Sequence, residues 1–214
     1  IFFRPRCGCC LLTQIMQLFA SIEDIYWLLG WLAGLGVLDL ILRALKFPSN
    51  DNSGTGRYYV LHICCNFFVV AVYFDDVLAA YKDPLFSYQL PCDNRGTMAI
   101  LACHLHHILW YQPLAMVDWV HHILMIIIML PLAYGLQPGA LLGHGAFYAS
   151  GLPGGLDYVM LVAVKQGWMK SITEKRLNTS VQLWIRAPGC LAHSLLTWVS
   201  WSAGQHSGVL HNKG

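Results

Sequence analysis

CHLHHILWYQPLAMVDWVHHILMIIIM, residues 103–129, contains two apolar runs that meet at a short break. The break is Tyr111-Gln112-Pro113. An interior proline commonly ends or kinks a helix, because it removes a backbone donor and clashes with the preceding turn. We therefore predict two antiparallel helices joined by a turn over residues 112–115.

Histidines lie close to this turn on both sides. At a rise of 1.5 Å per residue, His107 and His121 lie roughly 10 Å from its middle, and His104 and His122 roughly 13–14 Å. The four imidazoles are therefore expected to face one another across the hairpin. Asp118 precedes the second pair by three and four residues, a spacing of neighbours on a helix surface. Its carboxylate is expected to accept an N–H from either ring and to orient that ring.

Composition indicates a membrane protein that spans the bilayer several times. The 214 residues are 57% hydrophobic and 11% charged, whereas ordinary soluble domains carry about 25% charged residues. So little charge would not cover the surface of a soluble fold of this size. The net charge is only +2, and no basic stripe with interleaved aromatic residues occurs. We therefore expect membrane lipids as partners and no nucleic acid.

The apolar runs predict an all-α bundle of about six spans. Ser21 is expected to cap the first span, with Glu23 and Asp24 in its first turn. Residues 1–20 are predicted to form a tail and an interfacial helix, 21–204 the transmembrane domain, and 205–214 a polar tail. The predicted spans cover residues 22–45, 58–81, 97–111, 115–134, a segment ending near 166, and 181–203.

Glycine and proline predict interruptions in the later spans. Residues 137–155 read QPGALLGHGAFYASGLPGG, which predicts a short helix, a break at 151–155 and a further helix over 156–166. His144 is expected in a solvated part of this segment. His193, alone in the last span, is expected to be a hydrogen-bonded core residue, and Pro188-Gly189 is expected to interrupt that span.

Basic residues are in slight excess on one side of the predicted topology, which by the positive-inside rule faces the cytosol or the matrix. They are Arg43, Lys46, Arg57, Lys165, Lys170, Lys175 and Arg176.

Three chemistries suit a histidine cluster inside an apolar hairpin. An oriented histidine can act as general base or nucleophile in acyl transfer. Histidines on facing helices can ligate two irons, but HLHH and DWVHH do not fit the HxxHH and HxxxH boxes of membrane desaturases. A histidine pair can also hold a haem or chlorin axially, so the cofactor stays undetermined. CGCC at residues 7–10 has no matching cysteine pair, and we predict no metal site.

The histidine hairpin HLHHILWYQPLAMVDWVHHILM resembles the centre of the TLC-domain family of membrane proteins, in which a histidine-rich helix and a short turn precede D-x-x-H-H. The resemblance extends upstream to YYVLHICCNFFVVAVYFDDVLAAYKDPL, which includes His62 and Asn66. Downstream, SGLPGGLDYVMLVAVK and KRLNTSVQLWIRAPG are similar to later spans of some members. The resemblance to the family covers roughly residues 57–200.

This resemblance implies a lipid-related function in the endoplasmic reticulum. The family includes ceramide synthases, a translocon-associated protein and proteins that affect phospholipid composition. By the resemblance, His121 and His122 are the central catalytic pair and Asp118 orients them. The acidic run with a second histidine that follows the pair in ceramide synthases is missing here, so catalysis is left open. The residues expected to contact lipid or substrate are His62, Asn66, His104, His107, Asp157 and Arg186, with Arg186 also expected to pair with Asp157 or another buried carboxylate.

A non-enzymatic alternative fits the compact chain, which has small loops and eight tryptophans. In this reading the protein is an accessory subunit of a larger respiratory or photosynthetic complex in an organelle inner membrane. Its histidines would then be structural or would hold a pigment.

Overall fold

The computed structural model describes residues 21–49, 54–132 and 138–207, with side chains described as far as residue 204. The predicted interfacial helix within residues 1–20 lies outside the described residues. His206 and His211, expected in a solvated tail, also lie outside the described side chains. The described residues form helices and turns, which confirms the all-α prediction.

The described part of the chain forms eight helical segments. They are α1 (Ile22–Ala44), α2 (Thr55–Lys82), α3 (Pro84–Gln89), α4 (Arg95–Trp110), α5 (Met116–Leu132), α6 (Leu141–Lys165), α7 (Ser171–Val181) and α8 (Ala187–Ser207). The π-helical turn Gln182–Arg186 joins α7 and α8 without a break. α8 ends beyond the boundary predicted at residue 204.

Three of the described helices, α1, α2 and α6, are long and apolar enough to cross a membrane. α5 is apolar but shorter. These helices suggest a membrane protein.

α2 is the central helix of the bundle, and α4 and α6 pack along it while α1 packs mainly against α4. The bounds of α1 agree with the prediction to within a residue, and its predicted cap is confirmed. The Ser21 Oγ accepts a hydrogen bond from the Asp24 amide at 3.1 Å. This bond satisfies one of the amide donors that a helix start leaves unpaired.

Three prolines lie inside helices and do not break them. Each proline lies two residues after the last residue of a π-helical turn. Pro131 lies after Leu124–Met129, Pro153 after Phe147–Gly151, and Pro188 after Gln182–Arg186. Proline clashes with the carbonyl four residues earlier, which in each case belongs to the wide π turn. The helix therefore continues, because a π turn absorbs the clash. The breaks predicted at residues 151–155 and at Pro188-Gly189 are wrong.

Glycines of α6 mark close helix contacts in the segment that the sequence predicted to be interrupted. A Cβ added at Gly145 would lie 2.8 Å from the His193 ring, and one at Gly154 would lie 2.9 Å from Asn66 Nδ2. Small residues let membrane helices approach closely. His144 is consequently enclosed and fully buried, so its predicted solvent exposure is wrong.

Tyr73, a fully buried residue of α2, holds the start of α4. Its hydroxyl donates to the Asp93 carbonyl at 2.8 Å and accepts from the Thr97 amide at 3.0 Å. Gly96 makes room for the ring, since a Cβ there would lie 2.3 Å from it. The tyrosine thus fixes the start of the helix that carries His104 and His107.

Asp93, in the loop before α4, is bound by Arg95. Its Oδ2 accepts from Arg95 Nη2 at 2.6 Å. Burial opposes ionisation of Asp93, but the hydrogen bonds and charge of Arg95 outweigh it and lower the pKa of this carboxyl. A lowered pKa means that the ion pair stabilises the fold above the ordinary carboxyl range and that this contribution is lost as pH falls through the lowered pKa.

Tyr73→Phe should destabilise the protein by about 1–3 kcal/mol, because the Thr97 amide and the Asp93 carbonyl lose a buried partner. The measurement is the free energy of unfolding in detergent. Tyr26→Phe is the matched control, since Tyr26 is 70% exposed on α1. Equal stability of the two variants would contradict this account of the start of α4.

Candidate functional site

The predicted convergence of histidines across the α4–α5 hairpin is confirmed. His104 Nε2 lies 3.2 Å from His121 Nε2, and His107 Nδ1 lies 3.0 Å from His122 Nε2. The fifth member of the cluster is His62 of α2, whose ring centroid lies 6.1 Å from that of His107. We call these five residues the histidine cluster.

Hydrogen-bond partners assign the tautomers of one histidine pair. His104 Nδ1 lies 2.8 Å from the Ile100 carbonyl oxygen. A carbonyl only accepts, so this Nδ1 donates, and in a neutral ring Nε2 is then the acceptor. His121 must therefore donate from Nε2 to His104. The lone pair of His121 is left on Nδ1, and His121 is an exposed residue of α5.

The second pair is buried. His122 is 2% exposed, and its Nδ1 has no hydrogen-bond partner among the described residues. A buried donor without a partner is rarer than a buried acceptor without one. The favoured arrangement is therefore that His122 Nε2 donates to His107 Nδ1, which leaves the hydrogen of His107 on Nε2.

Asp118 does not orient the histidines through the predicted hydrogen bond. Within the described residues, no hydrogen bond joins its carboxylate to His121 or His122. The physical reason is that the N–H of His121 is already donated to His104 across the hairpin. Asp118 instead lines a cavity beside the cluster.

Two tyrosines complete the site and were not predicted. The Tyr58 ring lies 3.9 Å from the His107 ring and 4.0 Å from the His62 ring, measured between centroids. The Tyr58 and Tyr158 hydroxyls lie 3.1 Å apart. The Tyr58 carbonyl also accepts from His62 Nδ1 at 2.9 Å. The spacing of Tyr58 and His62, four residues apart on one helix, was the available signal.

A cavity of about 540 Å³ adjoins the histidine cluster. His107, Tyr58, Tyr158, Asp118 and Asp157 contribute to its lining. It also reaches the first turn of α2 and the turn between α4 and α5, so it lies near one end of the bundle. Ligand sites are typically cavities of 300–1,000 Å³ with a few convergent polar groups.

Asn66 and Arg186, the other predicted contact residues, make no hydrogen bond to the histidine cluster within the described part of the chain. Asn66 is buried where α2 meets α6, against Gly154. Arg186 donates to Gln182 Oε1 at 2.8 Å, and among the described residues it forms no ion pair with Asp157 or another carboxylate. The predicted ion pair is therefore wrong, because Arg186 finds its partner one turn earlier on its own helix.

A second histidine pair lies away from the cavity. The rings of His144 and His193 are stacked with centroids 5.7 Å apart. His193 Nδ1 has no hydrogen-bond partner within the described part of the chain. The expectation that His193 is hydrogen-bonded is thus wrong for this atom.

The described residues contain no group of three or more His, Cys, Asp or Glu side chains with an arrangement able to hold a metal ion. Four of the five rings of the histidine cluster bind one another in pairs through ring nitrogens.

Comparisons with protein-family models, with curated proteins and with solved structures found no match to this chain.

A double-mutant cycle tests the pairing of the rings. His107→Ala and His122→Ala should be coupled by about 1 kcal/mol in the free energy of unfolding, since each removes the same hydrogen bond. The control cycle pairs His106→Ala with His122→Ala. His106 precedes His107 but stacks on Trp110 at 4.9 Å, so its coupling should be near zero. Similar coupling in both cycles would rule out the specific bond.

Proposed function

We propose that this protein binds or modifies acyl lipids at the histidine cluster. The observation that carries the proposal is the cavity of about 540 Å³ between the cluster and one end of the bundle. His107, Tyr58, Tyr158 and two carboxylates line it together. These groups suit the ester, amide and hydroxyl groups of a lipid.

The membrane supplies the rest of the recognition. α1, α2 and α6 have the length and composition of spans, and α5 exposes large apolar side chains such as Val117 and Ile127. An acyl chain can therefore remain in lipid while its polar end enters the cavity. In this proposal the bundle has about six spans and is TLC-like, the membrane is that of the endoplasmic reticulum, and α4, α5 and α8 cross or enter it with the three long helices.

His121 does not line the cavity but lies three residues after Asp118, which does, and it is the residue that we propose to react if the lipid is modified. Its Nδ1 lone pair is not used by the pairing with His104, and the residue is exposed. A lone pair on an accessible imidazole can act as general base or accept an acyl group. His122 is buried and bound to His107, so its proposed role is to hold His107 in position.

Lipid carried by the purified protein tests the proposal. The full chain is purified in mild detergent, and bound lipids are extracted and identified by mass spectrometry. His107→Asn and Asp118→Asn should each lower the lipid content about tenfold, as the loss of ~1.4 kcal/mol of binding would. His121→Ala should lower it less and should abolish any acyl transfer.

His106→Asn is the matched control, because His106 is a buried histidine of the same helix that stacks on Trp110 and does not itself line the cavity. Its lipid content should equal that of the unchanged protein. Equal lipid content in the control and in the cavity variants would refute the proposal. A visible absorption band in the purified protein would favour the alternative of a pigment-binding subunit.

A further inference from the structure

A second pocket lies where α1 ends and α2 begins. Three basic side chains line it, those of Arg43, Lys46 and Arg57, and its volume is about 240 Å³. One water molecule occupies about 30 Å³, so the pocket has room for a group several times larger. We call it the basic pocket.

Positive charge in the basic pocket exceeds the negative charge beside it. The nearest carboxylate among the described residues is Asp39, which lies 3.0 Å from Arg57 Nε and 3.6 Å from Arg43 Nη2. The single buried carboxylate of Asp39 is thus paired with two guanidinium groups. By sequence, residues 50–53 add one further acid, Asp51. Three cations outnumber the carboxylates even when that residue is counted.

Arg57 is held in a fixed position, unlike an ordinary solvated surface cation. Its side chain is 21% exposed, and its Nε bond to Asp39 fixes the plane of the guanidinium. Tyr111 donates to the same Asp39 oxygen, which holds the carboxylate in turn. A fixed planar guanidinium matches the geometry of a phosphate group.

The position of the basic pocket suggests the source of the ligand. It lies at the shared end of two helices of membrane-spanning length, which is the depth of lipid headgroups. Basic pockets between membrane helices bind anionic headgroups. We propose that the basic pocket binds a phosphate group presented as the headgroup of an anionic phospholipid.

This site goes beyond the proposed function, because its three basic residues lie outside the histidine cluster. Arg57 lines both the basic pocket and the cavity. A single lipid that fills both the basic pocket and the cavity is one arrangement. Binding of a headgroup in the basic pocket does not, however, depend on the histidines.

Binding of phosphatidic acid to the full chain in phosphatidylcholine nanodiscs tests the proposal. The readout is the midpoint of thermal unfolding as the phosphatidic acid fraction rises, since a ligand of the folded state raises it. The double variant Arg43→Gln/Lys46→Gln should bind on the order of 30-fold more weakly, at about five- to sixfold for each lost cation. Both residues are exposed, and Arg57 stays to pair with Asp39.

Lys170→Gln/Arg176→Gln is the matched control, because it removes the same charge from exposed positions outside the basic pocket. It should bind phosphatidic acid as the unchanged chain does. Equal weakening in both double variants would overturn the proposal in favour of general attraction to an anionic surface.

Inorganic phosphate separates the two sources of the phosphate group. Competition by inorganic phosphate against phosphatidic acid, lost in the Arg43→Gln/Lys46→Gln variant, would support a headgroup site. Stabilisation by inorganic phosphate without any response to phosphatidic acid would overturn the lipid as its source. His107→Asn should leave the phosphatidic acid response intact, so failure of the acyl-lipid proposal and failure of this one give different results.

Discussion

The hydrogen bonds between paired imidazoles connect α5 to the rest of the bundle. The buried side chains of α5 are those of His122 and Leu130, so this helix has little packed surface against its neighbours. In a membrane, apolar side chains gain little by leaving lipid for protein, and helices associate through packing and interhelical hydrogen bonds. The two histidine pairs therefore contribute a large share of what holds α5 in place.

The same bonds restrict the chemistry of the site. Each ring that uses one nitrogen to hold the hairpin has only the other nitrogen for a ligand. The Ile100 carbonyl determines the tautomer of His104, and His104 determines that of His121. A backbone atom of α4 thus decides that the lone pair of His121 is on Nδ1. The structural and chemical roles of the cluster are therefore coupled.

Features that depend on local pattern were predictable from the sequence. The cap at Ser21, the bounds of α1 and the facing of the histidines follow from capping, apolar length and helical rise. Prolines and glycines were misread, because their effect depends on neighbours. Pro153 follows a π turn, and Gly154 lies against Asn66 of another helix. A sequence shows that these residues weaken a helix but not that packing compensates for it.

The errors in predicting the polar contacts have a similar explanation. Asp118 has the right spacing to bind a histidine on its own helix, but the facing helix supplies a competing partner that sequence spacing does not reveal. Tyr158 reaches the site only through the close contact of α6 with α2. Asp39 lies in an apolar span, and its partner Arg57 is on the next helix. Each of these depends on which helices are neighbours.

The polar groups of α2 follow an order that suits an amphiphile. Arg57 is in the first turn and lines the basic pocket, Tyr58 and His62 follow at the candidate site, and Val69 lies further along in the apolar core. A cation at the end of a span is solvated cheaply, whereas one at mid-membrane costs several kcal/mol. The Arg57 charge is therefore tolerated because it lies at the end of the span, at the depth where a headgroup would lie. Tyr58 and His62, which carry dipoles instead of a full charge, lie at the next depth, where the ester or amide of a bound lipid would need hydrogen-bond partners.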